Sequence, residues 1–348
     1  MSDVLNIVAR FRAALLSREE RAQAEVLRAY EAAWGSITEQ LADLTRRLEA
    51  PSDGGASPSL RIEQQRLREL ERQVVEAILE VGRTAADVVA REQAALVLAA
   101  ERQAAALTQA AATGRAAVVA ANFNSLPVDV IERLVGVASD GSPVRASFAR
   151  LARDLGLETG DRITHALIQG AALGSNPTEI ARSLRREADA KGDNVMRQPA
   201  VVRRLNQAVR TESYRALREA TRESYKENEQ LVQKWRWVAA LSPSTCSVCW
   251  AMHGKTFSLD VPLQSHIACR CVMVPVLDAE ETFETGAEKF AKLEPGFQQQ
   301  ILGSDVAHEA YVSGDVRLED FVGLRDSDRW GLSRYRRSLR EIRGARVA

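Results

Sequence analysis

The residues most able to do chemistry in this sequence are four cysteines and one histidine, Cys246, Cys249, His266, Cys269 and Cys271. They lie between positions 246 and 271, and the rest of the chain has no cysteine. A Cys-x2-Cys turn aims two thiolates at one ion, and a pair from a later turn completes a tetrahedron, the usual structural zinc arrangement. Cys246-Ser-Val-Cys249 supplies the first turn. In the second, His266-x2-Cys269 keeps the two-residue gap, whereas Cys269-x-Cys271 has one residue between its thiols. Five donors compete for four positions. Cys246, Cys249 and Cys269 are the firm three, and the fourth is Cys271 or His266. Thiolate affinity for zinc favours Cys271, with His266 then a neighbouring polar group. The cofactor expected is a structural zinc ion, Zn2+.

Other readings of the five residues are four buried thiols without metal, a disulfide arrangement in an extracellular particle, and a catalytic zinc. Catalysis needs an open coordination position and a nearby base. Asp260, Glu280 and His253 are the candidates, and none stands at a recognisable spacing. His253-Gly254 does not supply an HNH nuclease pattern and reads as a turn, with Gly254 taking a positive φ. The expectation is a protein that is not an enzyme.

The elements around the cluster read as short strands behind a helical region. Residues 232–238 alternate with period two, and 257–259 and 272–276 are further short strands. Upstream, residues 3–49 are helical and a break at 50–58 carries two prolines and two glycines. A second helical stretch runs from 59 to 121, about 90 Å if unbroken. Leu67, Leu70, Val74, Ala77, Val81, Ala85 and Val88 alternate three- and four-residue steps, the seam of a coiled coil. Its later half is mostly alanine, which gives helix propensity but little burial, so it needs close neighbours or a partner. Gly82 and Gly114 are candidate bends. Shorter helices follow at 127–138, 143–155 and 159–172, one starts at Asn176-Pro177, a loop lies around 192–194, and a long Arg-rich helix covers 199–229. Val202, Leu205, Val209, Ala216 and Leu217 make its buried face. Beyond 280 the pattern returns to helix.

The fold class expected is mainly α with a small β element (α+β): a helical arm or hairpin over 1–122, a helical domain over 123–230, a zinc-stapled β-element over 231–280 and a helical segment with an Arg-rich tail over 281–348. The 348 residues carry 47 basic and 47 acidic side chains, so the net charge is zero. That balance argues against a surface given over wholly to nucleic acid but allows a local patch. No apolar run is long enough to span a membrane, and the start of the chain lacks the pattern of a signal peptide.

The stretch from Trp237 through Cys246-Ser-Val-Cys249 to Gly254-Lys255-Thr-Phe257, with His266-Ile-Ala-Cys269-Arg-Cys271 and Val274-Pro275-Val276, resembles the phage Mu protein F-like family of minor head proteins, also called phage head morphogenesis proteins. Ile267 stands where the family often has proline. Arg210-Thr211-Glu212 on the long helix and the segment from Gly174 to Arg182 resemble the family's preceding helices. Phe290 to Gly303, then Tyr311, Gly314 and Phe321-Val322, resemble its Gln-x-x-Leu-Gly ending. The resemblance covers roughly 155–325. It implies a virion component of the head near the portal vertex, made in the host cytoplasm and present in several copies. Its implied partners are the portal and other head proteins.

Arginines crowd the C-terminus. Arg334, Arg336, Arg337, Arg340 and Arg343, interleaved with Tyr335, are candidate contacts to packaged DNA, or else a solvated helix face. Arg203, Arg204, Arg210, Arg215 and Arg218 on the long helix read instead as intrahelical partners of Glu212, Glu219 and Glu223. Against the head-protein reading stand a phage-borne toxin or nuclease and a DNA-binding ejection protein.

Overall fold

A computed structural model describes residues 2–49, 60–113, 115–172, 200–277 and 283–345. The expected break at 50–58, the helix start at Asn176 and the loop at 192–194 lie outside these. The elements in chain order are α1 (Ser2–Glu49), α2 (Leu60–Ala111), α3 (Arg115–Ala120), α4 (Val128–Leu134), α5 (Val144–Ala172), α6 (Ala200–Lys226), β1 (Lys234–Val238), α7 (Ser247–Met252), β2 (Thr256–Ser258), β3 (Val272–Val276), α8 (Gly286–Ala291), α9 (Pro295–Leu302), α10 (Asp305–Val312), a 3-10 turn (Leu318–Phe321), β4 (Val322–Arg325), β5 (Ser333–Arg336) and α11 (Leu339–Gly344). The protein is mainly helical with a few small strands, as the sequence predicts. No described helix is long and apolar enough to cross a membrane.

The chain divides into two compact units. One comprises Leu16–Arg91 and Ser142–Val209. Its predicted seam on α2 is buried at Leu70, Val74, Val81, Ala85 and Val88. Midway, Ile78 is buried and Ala77 only half-buried, because a 3.6-residue turn drifts across a strict heptad and the larger side chain takes the inside place. Gly82 does not end or interrupt α2: a Cβ there would fall 2.3 Å from Ala152 Cβ. Likewise the two helices expected at 143–155 and 159–172 form one, α5. At Gly156 a Cβ would sit 3.0 Å from the Val75 Cα. These glycines serve close helix approach, which outweighs their weak helix propensity of about 1 kcal/mol each.

The other unit comprises Met1–Leu15, Glu92–Gly141 and Arg210–Ala348. Within it Val4 and Val8 share a cluster with Leu107, and Leu15 one with Leu96, so α1 ascends as α2 descends. The alanine-rich half of α2 is covered from within the chain. Leu96, Val97 and Ala100 pack with Tyr214, Ala216, Leu217 and Ala220 of α6, and Ala104 packs near Tyr225 and Trp235. The strands predicted around the cysteines form one antiparallel sheet in the order β2-β1-β3. Trp235 pairs with Phe257 on one side, and Trp237 pairs with Met273 and Val238 with Val272 on the other. Every residue of β3 is buried.

After the sheet, α8 to α10 and the 3-10 turn enclose Phe290, Ile301, Leu302, Ala307 and Phe321, with Trp250 and Ala251 of α7 in the same cluster. Gly303 ends α9 in the left-handed region at φ 67, the usual glycine stop. The segment beyond 280 is not helical throughout, since β4 and β5 form an antiparallel hairpin. Gly323 is paired directly with Tyr335, and a Cβ on it would meet the Tyr335 ring at 2.4 Å. The ring over a glycine fixes a hairpin whose four-residue strands are too short and polar to announce themselves.

Candidate metal centre

The cluster is assembled from two turns and one helix. Cys246 occupies the N-cap position of α7 and Cys249 its first turn, so the Cys-x2-Cys spacing sets both thiols at one end of the helix. His266, Cys269 and Cys271 lie on the connection from β2 to β3, Cys271 immediately before β3. Cys249, Cys269 and Cys271 are buried, and Cys246 is half-buried.

The donor atoms converge as two overlapping triads, Cys246–Cys249–His266 and Cys249–Cys269–Cys271, each with its atoms within 4.8 Å of one another. His266 Nε2 lies 3.2 Å from Cys246 Sγ and 3.1 Å from Cys249 Sγ. Cys249 and Cys269 sulfurs are 3.7 Å apart. A tetrahedral zinc with Zn–S bonds of about 2.3 Å sets its sulfurs about 3.8 Å apart. The His266 Nδ1 is 2.8 Å from the Ile267 carbonyl. A proton on Nδ1 donated there leaves the Nε2 lone pair aimed at the sulfurs, the tautomer a metal ligand needs. The Cys271 amide donates to Cys269 Sγ at 3.4 Å, a bond that a thiolate accepts well. These donors fit a zinc ion. An ion held by these residues would tie the two turns together.

The acidities are divided within the cluster: hydrogen bonds with Cys246, Cys269 and Cys271 push the Cys249 thiol up and burial pushes the Cys271 thiol up, while Cys246 and Cys269 are held low. The Cys249 thiol and then His266 hold Cys246 down to about 5. Burial pulls the His266 imidazole down, but hydrogen bonds to Cys246 and Cys269 and their charges prevail and push it up to about 11. Burial resists ionisation of Cys269, yet bonds from Cys249 and Cys271 and the charge of Arg218 hold it low. Metal binding replaces protons at such a group.

Side chains that the spacing argument did not assign hold the turns and the elements beside them in place. Arg218 is buried on α6. It donates from Nε to the Cys271 carbonyl at 3.1 Å, from Nη1 to Ser265 Oγ at 2.8 Å and from Nη2 to the Cys269 carbonyl. It is therefore not the intrahelical partner of a glutamate that the sequence pattern of this helix suggested. Arg215–Glu212 at 3.1 Å and Arg222–Glu219 at 2.7 Å do pair in that way. Thr211 Oγ1 accepts the Ala268 amide at 2.9 Å. Ala268 has φ 59, so the turn occupies left-handed backbone where the resembling family often has a proline one residue earlier. Glu212, the last residue of the Arg-Thr-Glu triplet, accepts from the Ser139 amide and hydroxyl at 3.1 and 2.7 Å. Arg12 of α1 donates to the Val238 carbonyl at 2.6 Å. Arg218 and Thr211 had a sequence signal, an Arg-rich helix bearing a recognisable triplet. Arg12 had none, because its partner lies 226 positions away.

His253 is the turn residue expected, with Gly254 at φ 90. It is buried, and its Nδ1 accepts the Ala239 amide at 3.1 Å, which leaves the proton on Nε2. Burial, with Lys289 and Arg12 nearby, holds it down to about 4. A cleft of about 280 Å³ opens beside His266, between Thr211 and Arg215 on one side and Gln264 and Trp330 on the other, and gives solvent a route to the imidazole.

The C-terminal arginines do not form one free patch. Arg343 pairs with Asp315 at 2.9 Å, Arg336 donates to the Leu302 carbonyl, and Arg334 lies over the Trp237 ring at 5.8 Å. Arg340 is exposed on α11, and Arg337 is half-buried just before it.

Residues 161–274 match the family described as Phage Mu protein F like protein. No curated protein and no solved structure matches the chain. The matched segment begins in α5 and ends in β3, so it contains Thr211, Arg218 and all five Cys and His donors. Over those residues the chain is similar to the phage Mu protein F-like family.

Proposed function

We propose that this chain is a structural minor head protein of a tailed bacteriophage that acts in head morphogenesis at the portal vertex, with a zinc ion stapling its β-element. The family match over residues 161–274 carries the reading, because the matched segment is the one that builds the cluster. Burial of Cys249, Cys269 and Cys271 supports a structural rather than a catalytic ion, since a site that works on a substrate presents an open position. Cys246, Cys249 and Cys269 are the ligands. His266 now ranks ahead of Cys271 as the fourth, because its Nε2 touches two of the sulfurs.

In this reading the protein resides in the virion in several copies, its partners are the portal and other head proteins, and the β-element with the helices after it forms a rigid docking surface. Contact with packaged DNA falls to exposed arginines such as Arg340, because Arg336 and Arg343 are engaged internally. Cross-linking within purified particles tests it. Links from this chain to the portal are expected, whereas a chain that cross-links only to tail components contradicts it.

A further inference from the structure

The β4–β5 hairpin carries an unpaired cation between exposed apolar side chains. Leu324 and Arg334 are direct cross-strand partners, so both stand on one face of the hairpin. The last pair is Arg325 with Ser333, so Leu324, Arg334 and Leu332 all lie at the loop end. Leu324 is 48% exposed and Leu332 46%. Arg334 lies over the Trp237 ring at 5.8 Å, with its Nε buried and without a hydrogen-bond partner. Its terminal nitrogens are not shut off from solvent in this way, and among the described residues they form neither a hydrogen bond nor an ion pair. The acidic residues of the connecting loop do not neutralise it. Asp326 turns its carboxylate to the Ser327 amide at 2.9 Å, and neither Asp326 nor Asp328 pairs with Arg334.

Scattered exposed leucines are normal on a protein surface, so the leucines alone say nothing. The cation between them does. A guanidinium steadied by an aromatic ring and free at its terminal nitrogens is set to receive a planar anion through two parallel bonds. Phosphate and carboxylate both meet that description, and the leucines decide between them. A nucleic-acid backbone would occupy Arg334 and leave Leu324 and Leu332 in water, whereas a protein segment with apolar residues beside its Asp or Glu covers all three. The cleft beside His266 extends the same surface, since Trp330, Gly331, Leu332 and Ser333 line it together with Leu263 and Ile267. It offers such a segment a recess of about 280 Å³.

We propose that Leu324, Leu332 and Arg334, at the loop end of the β4–β5 hairpin, dock a segment of another head protein in which an Asp or Glu stands among apolar residues. The carboxylate sits on the Arg334 guanidinium, and its apolar neighbours cover the two leucines and enter the cleft. This inference rests on the head-protein reading and names the docking surface within it. Arg334 is the centre of the contact, and the leucines around it exclude water from the ion pair.

Phage particles assembled with the full chain test the idea. A photo-activated cross-linking residue at position 324 or 332 should capture one segment of another head protein, and that segment should contain an Asp or Glu. Arg334→Glu should lower the copies of the chain per particle by about tenfold or more, and changing the captured acidic residue to Arg should restore them. Leu332→Ser, a change at an exposed position, should lower incorporation by a smaller factor and keeps the test open should Arg334→Glu not fold; thermal unfolding of each purified variant decides that point. A chain that is present in particles but links from 324 and 332 to DNA, to a second copy of itself or to nothing overturns the proposal and leaves the head-protein reading intact. So does wild-type incorporation of folded Arg334→Glu or of Leu332→Ser. A chain absent from particles overturns both.

Discussion

Arg218 shows how much a single side chain contributes to this site. Its three donors fix the Cys269 and Cys271 carbonyls and Ser265, so the second half of the cluster depends on α6 as much as on its own turn. Arg218→Met keeps the volume and removes the donors. It should lower stability by about 3 kcal/mol in denaturant unfolding, because buried carbonyls lose charge-assisted bonds. His253 supplies a second test at this scale. Its folded acidity lies near 4, below the ordinary histidine value, so between about pH 6.5 and 4 the unfolded chain binds a proton that the folded chain does not. Stability from this residue is thus constant above about pH 6.5 and falls as the pH drops toward 4, by up to about 1.4 kcal/mol per pH unit. An imidazole titration midpoint near 6.5 in the folded protein would refute it. That these five side chains converge was legible from residue type and spacing alone. The position of the His266 ring was not, because it depends on the Ile267 carbonyl and on two sulfurs from another element.

Between elements, glycines decide how closely helices and turns approach. Gly286 begins α8 against α7, where its amide donates to the His253 carbonyl at 2.9 Å and a Cβ would fall 1.8 Å from the Trp250 carbonyl oxygen. That carbonyl belongs to the helix that carries Cys249, so it yields only if the helix moves. Gly286→Ala should therefore cost about 1–3 kcal/mol in thermal or denaturant unfolding, while Gly296→Ala, with open space around its Cβ position, should change little. Equal melting of the two variants would contradict this packing. Period-two and period-3.6 patterns were enough to find β1, β3, α1, α2 and α6 in the sequence. Gly82 and Gly156 misled, since a glycine that admits a neighbouring backbone looks the same in sequence as one that breaks a helix. The β4–β5 hairpin was missed because its pairing depends on Tyr335 covering Gly323, a cross-strand contact that no single strand reveals.

At the scale of the whole molecule, the cysteine cluster is surrounded by parts drawn from distant sequence. The first turns of α1, the alanine-rich half of α2, α6 from Arg210 onward and the small sheet belong to one unit, with Cys249, Cys269 and Cys271 in its buried core. Sequence pattern alone gave a helical arm or hairpin over the first 122 residues; amphipathic periodicity reports that a helix has a buried face and not which part of the chain buries it. The family match identifies the segment that builds the site, and the function proposed for the chain depends on that site being a structural metal centre. Metal analysis of the purified chain, paired with thermal unfolding before and after chelation, tests this most directly. The account predicts about one zinc per chain and a clearly lower melting temperature once it is removed. A chain that purifies without metal, or melts at the same temperature after zinc is stripped, would contradict it.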